Sequence, residues 1–213
     1  MFLLINKPIG ITSHDVVDQL RKITGIKKIG HAGTLDPLAS GLLIVGIGRE
    51  STKQLNKFLK LPKVYQSKIF LGQERDTDDA EGKIISEKKN CPPPSIEVIK
   101  KTLTNFIGQQ QQIPPQFSAI KLKGKKAYQL ARQGKNPKLS PRQVTISEIK
   151  LLSYQFPYLE IEVKCSSGTY IRALARDIGR VLNCGAYSAD LRRTAIGDFK
   201  LKQAKDIDCL SFP

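Results

Sequence analysis

Gly30, Gly33, Pro37 and Gly41 fall within twelve positions, just before the apolar run Leu42-Leu43-Ile44-Val45-Gly46-Ile47. Glycine reaches backbone conformations that other residues avoid and proline fixes φ, so these four residues mark a loop of special geometry leading into a buried strand. The loop carries one acid, Asp36, directly ahead of Pro37. A carboxylate held there keeps few rotamers and little backbone motion, which is the condition for preorganised chemistry. Asp before Pro also starts turns and caps backbone amides, so its position alone leaves a turn-forming role open beside a chemical one.

The rest of the chain reads as alternating strands and helices. Leu3 to Ile5 is a short buried strand, Lys7-Pro8-Ile9-Gly10 a turn, and Ser13 the N-cap of a helix with Val16, Val17, Leu20 and Ile23 on its apolar side and Gly25 as its stop. Thr52 caps a short helix through Leu59. Tyr65, Ser67, Ile69 and Leu71 then alternate with their neighbours as in a strand. Gln73 to Gly82 is an acid-rich turn, and its EF-hand reading fails because the glycine needed at the sixth loop position is Glu81. Ser95 caps a helix through Phe106, which Gln109 to Gln112 and Pro114-Pro115 end. Val144 and Ile146 suggest a further strand. Leu159, Ile161, Val163 and Cys165 alternate with charged residues, so a hairpin or meander is implied. Thr169 opens a helix whose apolar side is Ile171, Leu174, Ala175, Ile178, Val181 and Leu182, and Leu191 to Gly197 reads as another strand and turn. No regular βαβ rhythm is present, so the fold class is α+β, with a mixed, largely antiparallel central sheet and flanking helices.

Charge narrows the partner. Thirty-five Lys and Arg against nineteen Asp and Glu leave +16, a field that draws polyanions and makes their binding salt-sensitive. Lys121, Lys123, Lys125, Lys126, Arg132, Lys135 and Lys138, interleaved with Phe117, Gly124 and Tyr128, form the best segment for gripping a nucleic-acid backbone. The plain alternative is a solvated helix face beside a lysine-rich loop. No apolar stretch approaches the roughly 20 residues of a membrane helix. Met1 to Ile5 runs straight into Asn6-Lys7-Pro8, as a strand does and a signal peptide does not. Cys91, Cys165, Cys184 and Cys209 form no C-x-x-C pair, and only His14 and His31 could supplement them, so no metal site is implied and the thiols read as reduced, in a cytoplasmic protein.

The segment Gly30-His31-Ala32-Gly33-Thr34-Leu35-Asp36-Pro37-Leu38-Ala39-Ser40-Gly41-Leu42-Leu43 resembles the catalytic loop of the TruB-type tRNA pseudouridine synthases. Further blocks resemble that family in the same order: Lys7-Pro8-Ile9-Gly10-Ile11-Thr12-Ser13, the stretch from Leu71-Gly72-Gln73 through Asp76-Thr77-Asp78-Asp79-Ala80-Glu81-Gly82, and Cys165-Ser166-Ser167-Gly168-Thr169-Tyr170-Ile171-Arg172. Leu191-Arg192-Arg193 and the segment from Phe117 to Tyr128 extend the match over essentially the whole chain.

The resemblance implies the pseudouridine synthase fold and an isomerase that flips a uridine out of its RNA and rejoins the base to ribose through carbon. It makes Asp36 the catalytic carboxylate and Arg172 the arginine paired with it. Tyr65 and Tyr170 are implied to hold the flipped base, His31 to stand against the target nucleotide, and Leu191 to line the uracil pocket. Asp79 is implied as an acid near the stacking tyrosine and Lys121 as a basic residue of the RNA-gripping segment. The implied substrate is the T stem-loop of tRNA at uridine 55, with chemistry that needs no cofactor; no protein partner is implied, and a monomer is the default expectation. Ser40 replaces the threonine common in the family, keeping a hydroxyl. Most relatives continue into a small C-terminal RNA-binding domain, so residues 1–213 are expected to form a single catalytic domain with a basic insertion at about 113–140 and no separate C-terminal RNA-binding domain. A binding module that remodels tRNA without modifying it would need the basic surface but not Asp36. An enzyme of the same chemistry acting on ribosomal or another RNA is the other alternative.

Overall fold

The computed structural model describes residues 1–88, 91–122 and 124–209, so Lys123 of the basic segment lies outside the described residues. In chain order the elements are β1 (Phe2–Lys7), α1 (Ser13–Thr24), β2 (Ile29–Ala32), β3 (Ala39–Ile47), α2 (Arg49–Gln54), α3 (Asn56–Leu59), β4 (Lys63–Leu71), β5 (Gln73–Arg75) and β6 (Ile84–Glu87). They continue as α4 (Ile96–Asn105), β7 (Gly108–Gln112), β8 (Lys121–Leu122), β9 (Lys125–Lys126), α5 (Ala127–Arg132), β10 (Arg142–Gln155) and β11 (Tyr158–Cys165). After these come α6 (Ile171–Val181), β12 (Ala186–Ile196), β13 (Phe199–Lys200) and β14 (Lys205–Asp206). This is the α+β class read from the sequence; β1 with β3, β2 with β3, β7 with β10 and β12 with β13 are antiparallel, and β1 with β14 and β3 with β12 are parallel.

The chain divides into two compact units. The first holds Met1–Gln66, Lys164–Ser167 and the residues from Leu191 onward. Its organiser is β3, antiparallel to β1 on one side and to β2 at its far end, and parallel to the last half of β12 through Leu191 opposite Ala39 and Arg193 opposite Gly41. Successive strand residues point to opposite faces, and both faces of β3 are covered. Leu43, Val45 and Ile47 join Ile5, Val16, Val17, Leu20 and Ile29 in one apolar cluster. Leu42 and Ile44 join Ala32, Leu55 and Ile196 in another. That double burial is why the sequence of β3 reads as a continuous apolar run rather than an alternating one.

The second unit holds Ser67–Val163 and Gly168–Asp190. Its strands follow the order β12, β4, β11, β10, β7, with β7 antiparallel to β10. Leu159, Ile161 and Val163 of β11, Val144 and Ile146 of β10, Ile99 and Leu103 of α4, and Leu174 and Ile178 of α6 make its buried core. The pairs β5 with β6 and β8 with β9 are separate two-stranded ribbons.

Several boundaries differ from the sequence reading. Thr12, not Ser13, is the N-cap of α1. Its hydroxyl accepts from the Asp15 N–H at 3.0 Å while the Asp15 carboxylate accepts from the Thr12 N–H at 2.7 Å, a capping box. The helix around Thr52 begins at Arg49, and α6 begins at Ile171 with Tyr170 as its N-cap rather than at Thr169. Gln109 to Gln112 do not break the chain but form most of β7. Glutamines carry no period-two apolar signal, and the ladder to Arg142–Thr145 holds this strand through its backbone. No helix among the described residues is long and apolar enough to cross a membrane.

Candidate active site

In the first unit the loop between β2 and β3 is fixed through its backbone on both sides of Asp36. The Ser13 hydroxyl, freed from capping, accepts from the Leu35 N–H at 2.8 Å and donates to the Leu35 carbonyl at 3.1 Å. The Pro37 carbonyl accepts from the Gly10 N–H at 2.9 Å and from the Lys7 ammonium at 3.5 Å. The Asp36 carbonyl accepts from the Ala39 N–H at 3.0 Å, closing the turn into β3. The residues flanking Asp36 therefore cannot shift without breaking buried hydrogen bonds, and the half-buried carboxylate is delivered in one place.

Lys7 is fully buried, a costly position for an ammonium. Its Nζ donates to the Pro8 carbonyl at 2.8 Å and the Ile11 carbonyl at 2.6 Å. Burial pulls its pKa down to about 8, against the opposing attraction of Asp36. Arg193 is equally hidden, 1% exposed. Its Nε donates to the Leu42 carbonyl at 2.8 Å and its Nη2 to the Gly33 carbonyl at 3.0 Å. Burial raises the Tyr65 hydroxyl above its ordinary range, opposed by the Arg193 guanidinium, and Asp36 adds to the rise. Tyr65 thus shares the electrostatic neighbourhood of Asp36.

His31 stands on β2 opposite Val45. Its Nδ1 is buried without a hydrogen-bond partner, and burial, with the charges of Arg193 and His14, lowers its pKa so that the neutral ring is favoured. Leu191 pairs with Ala39 where the Asp36 loop enters β3. In the first unit Tyr65 lies within electrostatic reach of Asp36, Leu191 pairs beside Ala39, and His31 stands on the strand that leads into the loop.

Gly33 and Gly41 adopt φ of 87° and 102°, the left-handed region that the glycine pattern called for. A Cβ on Gly41 would lie 2.3 Å from the Arg193 carbonyl oxygen. Gly41→Ala is accordingly expected to cost about 3 kcal/mol of stability, from strain and overpacking together. The check is a lower urea midpoint at unchanged slope.

The second unit holds the remaining sequence-derived residues. Arg172, buried on the first turn of α6, donates from Nη1 to the Asp79 carboxylate at 2.9 Å and the Thr77 carbonyl at 2.8 Å, and from Nη2 to the Phe117 carbonyl at 3.2 Å. Asp79 also accepts from the Thr77 hydroxyl at 2.6 Å and the Glu81 N–H at 3.1 Å. Tyr170 is clamped by Gln112, whose amide oxygen accepts the Tyr170 N–H at 2.8 Å and whose amide nitrogen donates to the Tyr170 carbonyl at 3.0 Å. Lys121 is exposed on the β8 and β9 ribbon, opposite Lys126. Lys126 and Arg132 both lie against the ring of Tyr128, 5.6 Å from its centroid.

Lys7 and Arg193 carry no role in the sequence reading beyond membership of quoted blocks, and Gln112 carries none. Their signal is burial, which the letters Lys, Arg and Gln argue against.

The model of the TruB family pseudouridylate synthase N-terminal domain matches residues 21–171, and that of the tRNA pseudouridylate synthase B C-terminal domain matches residues 172–211. The tRNA pseudouridine synthase B of Endomicrobium trichonymphae is 47% identical over 97% of this chain and 90% of that protein. The one from Desulfotalea psychrophila is 46% identical over 98% and 87%. Among solved structures, a Cbf5-Nop10-Gar1 complex aligns with TM-score 0.76 at 28% identity, covering 97% of this chain, which spans about half the length of that one. With both family models in sequence across residues 21–211 and relatives matched nearly end to end, the chain belongs to the TruB family of pseudouridylate synthases.

Proposed function

We propose that this chain converts uridine to pseudouridine in the T loop of tRNA, at uridine 55, with Asp36 as the carboxylate that starts the rearrangement. The observation that carries the proposal is the fixation of Asp36 by backbone hydrogen bonds at Leu35 and Pro37. A carboxylate fixed before substrate arrives loses no free energy to ordering at the moment of reaction. The names of the matched relatives support tRNA as the substrate.

The reaction balances without a cofactor. The N1–C1′ glycosidic bond breaks, the base turns, the C5–C1′ bond forms, the proton on C5 departs and N1 gains one. Nothing is oxidised or reduced. A uridine stacked in an RNA loop is out of reach of a half-buried carboxylate, so it must be flipped, at a cost of a few kcal/mol that pocket contacts offset. Tyr65 and Tyr170 are assigned to hold the flipped base and Leu191 to pack against it. The orphaned Nδ1 of His31 suits the target nucleotide, since a buried polar atom without a partner gains most from meeting one. Arg172 is assigned as the arginine partner of the Asp36 carboxylate, and Asp79 to orient Arg172 through their 2.9 Å ion pair. Lys121 and its basic ribbon are assigned to the phosphate backbone, consistent with recognition of folded RNA by shape and charge. The protein is assigned to the cytoplasm as a monomer without a protein partner.

The test uses the purified chain and a tRNA transcript tritiated at uracil C5. One tritium per transcript is expected to be released, and none from a transcript carrying cytidine at position 55. No release from the parent transcript, or equal release from both, overturns the proposal.

A further inference from the structure

Arg193 is given no direct contact with substrate in the proposed reaction, although its guanidinium hydrogen-bonds the side chain of Tyr65. It is a fully buried guanidinium whose Nε and Nη2 end on backbone carbonyls, beside its bond to Tyr65. Those carbonyls, Gly33 and Leu42, lie on either side of Asp36 along the chain. In the β12 to β3 register Arg193 also sits opposite Gly41, so close that any side chain there would overlap its backbone. One residue thus ties the start of the Asp36 loop to its exit into β3. Burying a cation solely to pack a strand is unfavourable, because an apolar residue of similar volume avoids the desolvation cost. Lysine cannot replace it, since a single ammonium lacks the planar fork that reaches two acceptors held apart by the loop.

We propose that Arg193 is a positioning residue for the isomerisation, its guanidinium fixing the Asp36 loop at Gly33 and Leu42 so that the carboxylate meets the uridine in one geometry. The inference rests on Asp36 being the catalytic carboxylate. Arg193 touches no reacting atom; it acts through the loop. Displacement of a reacting group by about 1 Å costs on the order of 100-fold in rate, which sets the expected effect.

The test compares Arg193→Lys with the parent by single-turnover tritium release from a C5-tritiated tRNA transcript, alongside filter binding of the same transcript and thermal melting. The expected result is a fall in the chemical step of about 100-fold, with RNA affinity within about threefold, measured where melting shows the variant folded. Gly33→Ala provides an independent disturbance of the same acceptor without removing a buried charge, since φ is 87° at that position. It is expected to reproduce the signature, slower chemistry with unchanged affinity, and the double variant to lose no more than the worse single one. A chemical step within threefold of the parent in either folded variant, losses confined to RNA affinity, or multiplicative losses in the double variant overturn the inference. If instead Asp36→Asn keeps the parent rate, the reading of Asp36 fails, independently of Arg193.

Discussion

Asp36→Asn is expected to slow pseudouridine formation by at least about 10⁴-fold, the scale of loss seen when a residue that performs the chemistry is removed. The amide keeps the size of the carboxylate but has no negative charge to act as nucleophile or base. The anchors around it are backbone groups, the Leu35 N–H and carbonyl on Ser13 and the Pro37 carbonyl on Gly10 and Lys7, so the substitution leaves them in place. The carboxylate is nonetheless a countercharge for buried Lys7, so stability is expected to fall by about 1–2 kcal/mol with the fold kept, and tRNA affinity to change by less than threefold, because the grip comes from the basic surface. Single-turnover tritium release, filter binding and a urea melt on one preparation separate the three effects. A variant that reacts slowly only because it binds tRNA poorly contradicts the assignment.

The largest expected effect on stability comes from the second unit. Arg176 and Asp78 form an ion pair at 2.7 Å with both side chains 10% exposed, and Arg176 also donates to Asp177 at 2.9 Å and to the Ile113 carbonyl at 2.8 Å. Removing one partner of a buried pair leaves the other charge desolvated, so Arg176→Met is expected to cost about 3–5 kcal/mol near neutral pH. Burial pushes the Asp78 carboxyl up to about 6, even with Arg176 and Arg172 drawing it down. Its folded pKa exceeds the unfolded value of 3.8, so between about 4 and 6 the native state holds this proton more tightly. Its contribution to stability thus rises as pH falls through that window. Without Arg176 the Asp78 pKa moves further up, and the cost of Arg176→Met shrinks at pH 5 relative to pH 7.5. Adding Asp78→Asn is expected to recover most of the loss, since asparagine tolerates the φ of 61° at this position. Urea midpoints of the two variants at both pH values test this, and a pH-independent loss below about 1 kcal/mol sinks it.

The backbone of the Asp36 loop was legible because its geometry is written in glycine: positions that must take positive φ at Gly33 and Gly41 leave few alternatives in the sequence. The apolar faces of α1, β3, β11 and α6 were legible for the same kind of reason, a periodicity that matches the element. What stayed hidden was decided by partners distant in the chain. Arg192 and Arg193 are the same letter, yet the strand's two-residue period exposes the first and buries the second. Thr12 and Ser13 are both good caps, and only the contact of Ser13 with Leu35 settles which one caps. Gln112 sits in a run that looks like polar loop, and its clamp on Tyr170 comes from β7 pairing with β10. The ion pair of Arg172 with Asp79 likewise joins residues far apart in sequence, where no local pattern signals it.

The most direct measurement is position-specific mapping of pseudouridine in tRNA from cells whose only copy of this protein carries Asp36→Asn, beside cells carrying the parent chain. Uridine 55 is expected to remain unmodified in the first and to be pseudouridine in the second, with the variant present at parental abundance. Pseudouridine at position 55 at parental levels in the variant cells would contradict the claim that a fixed carboxylate at residue 36 performs the chemistry.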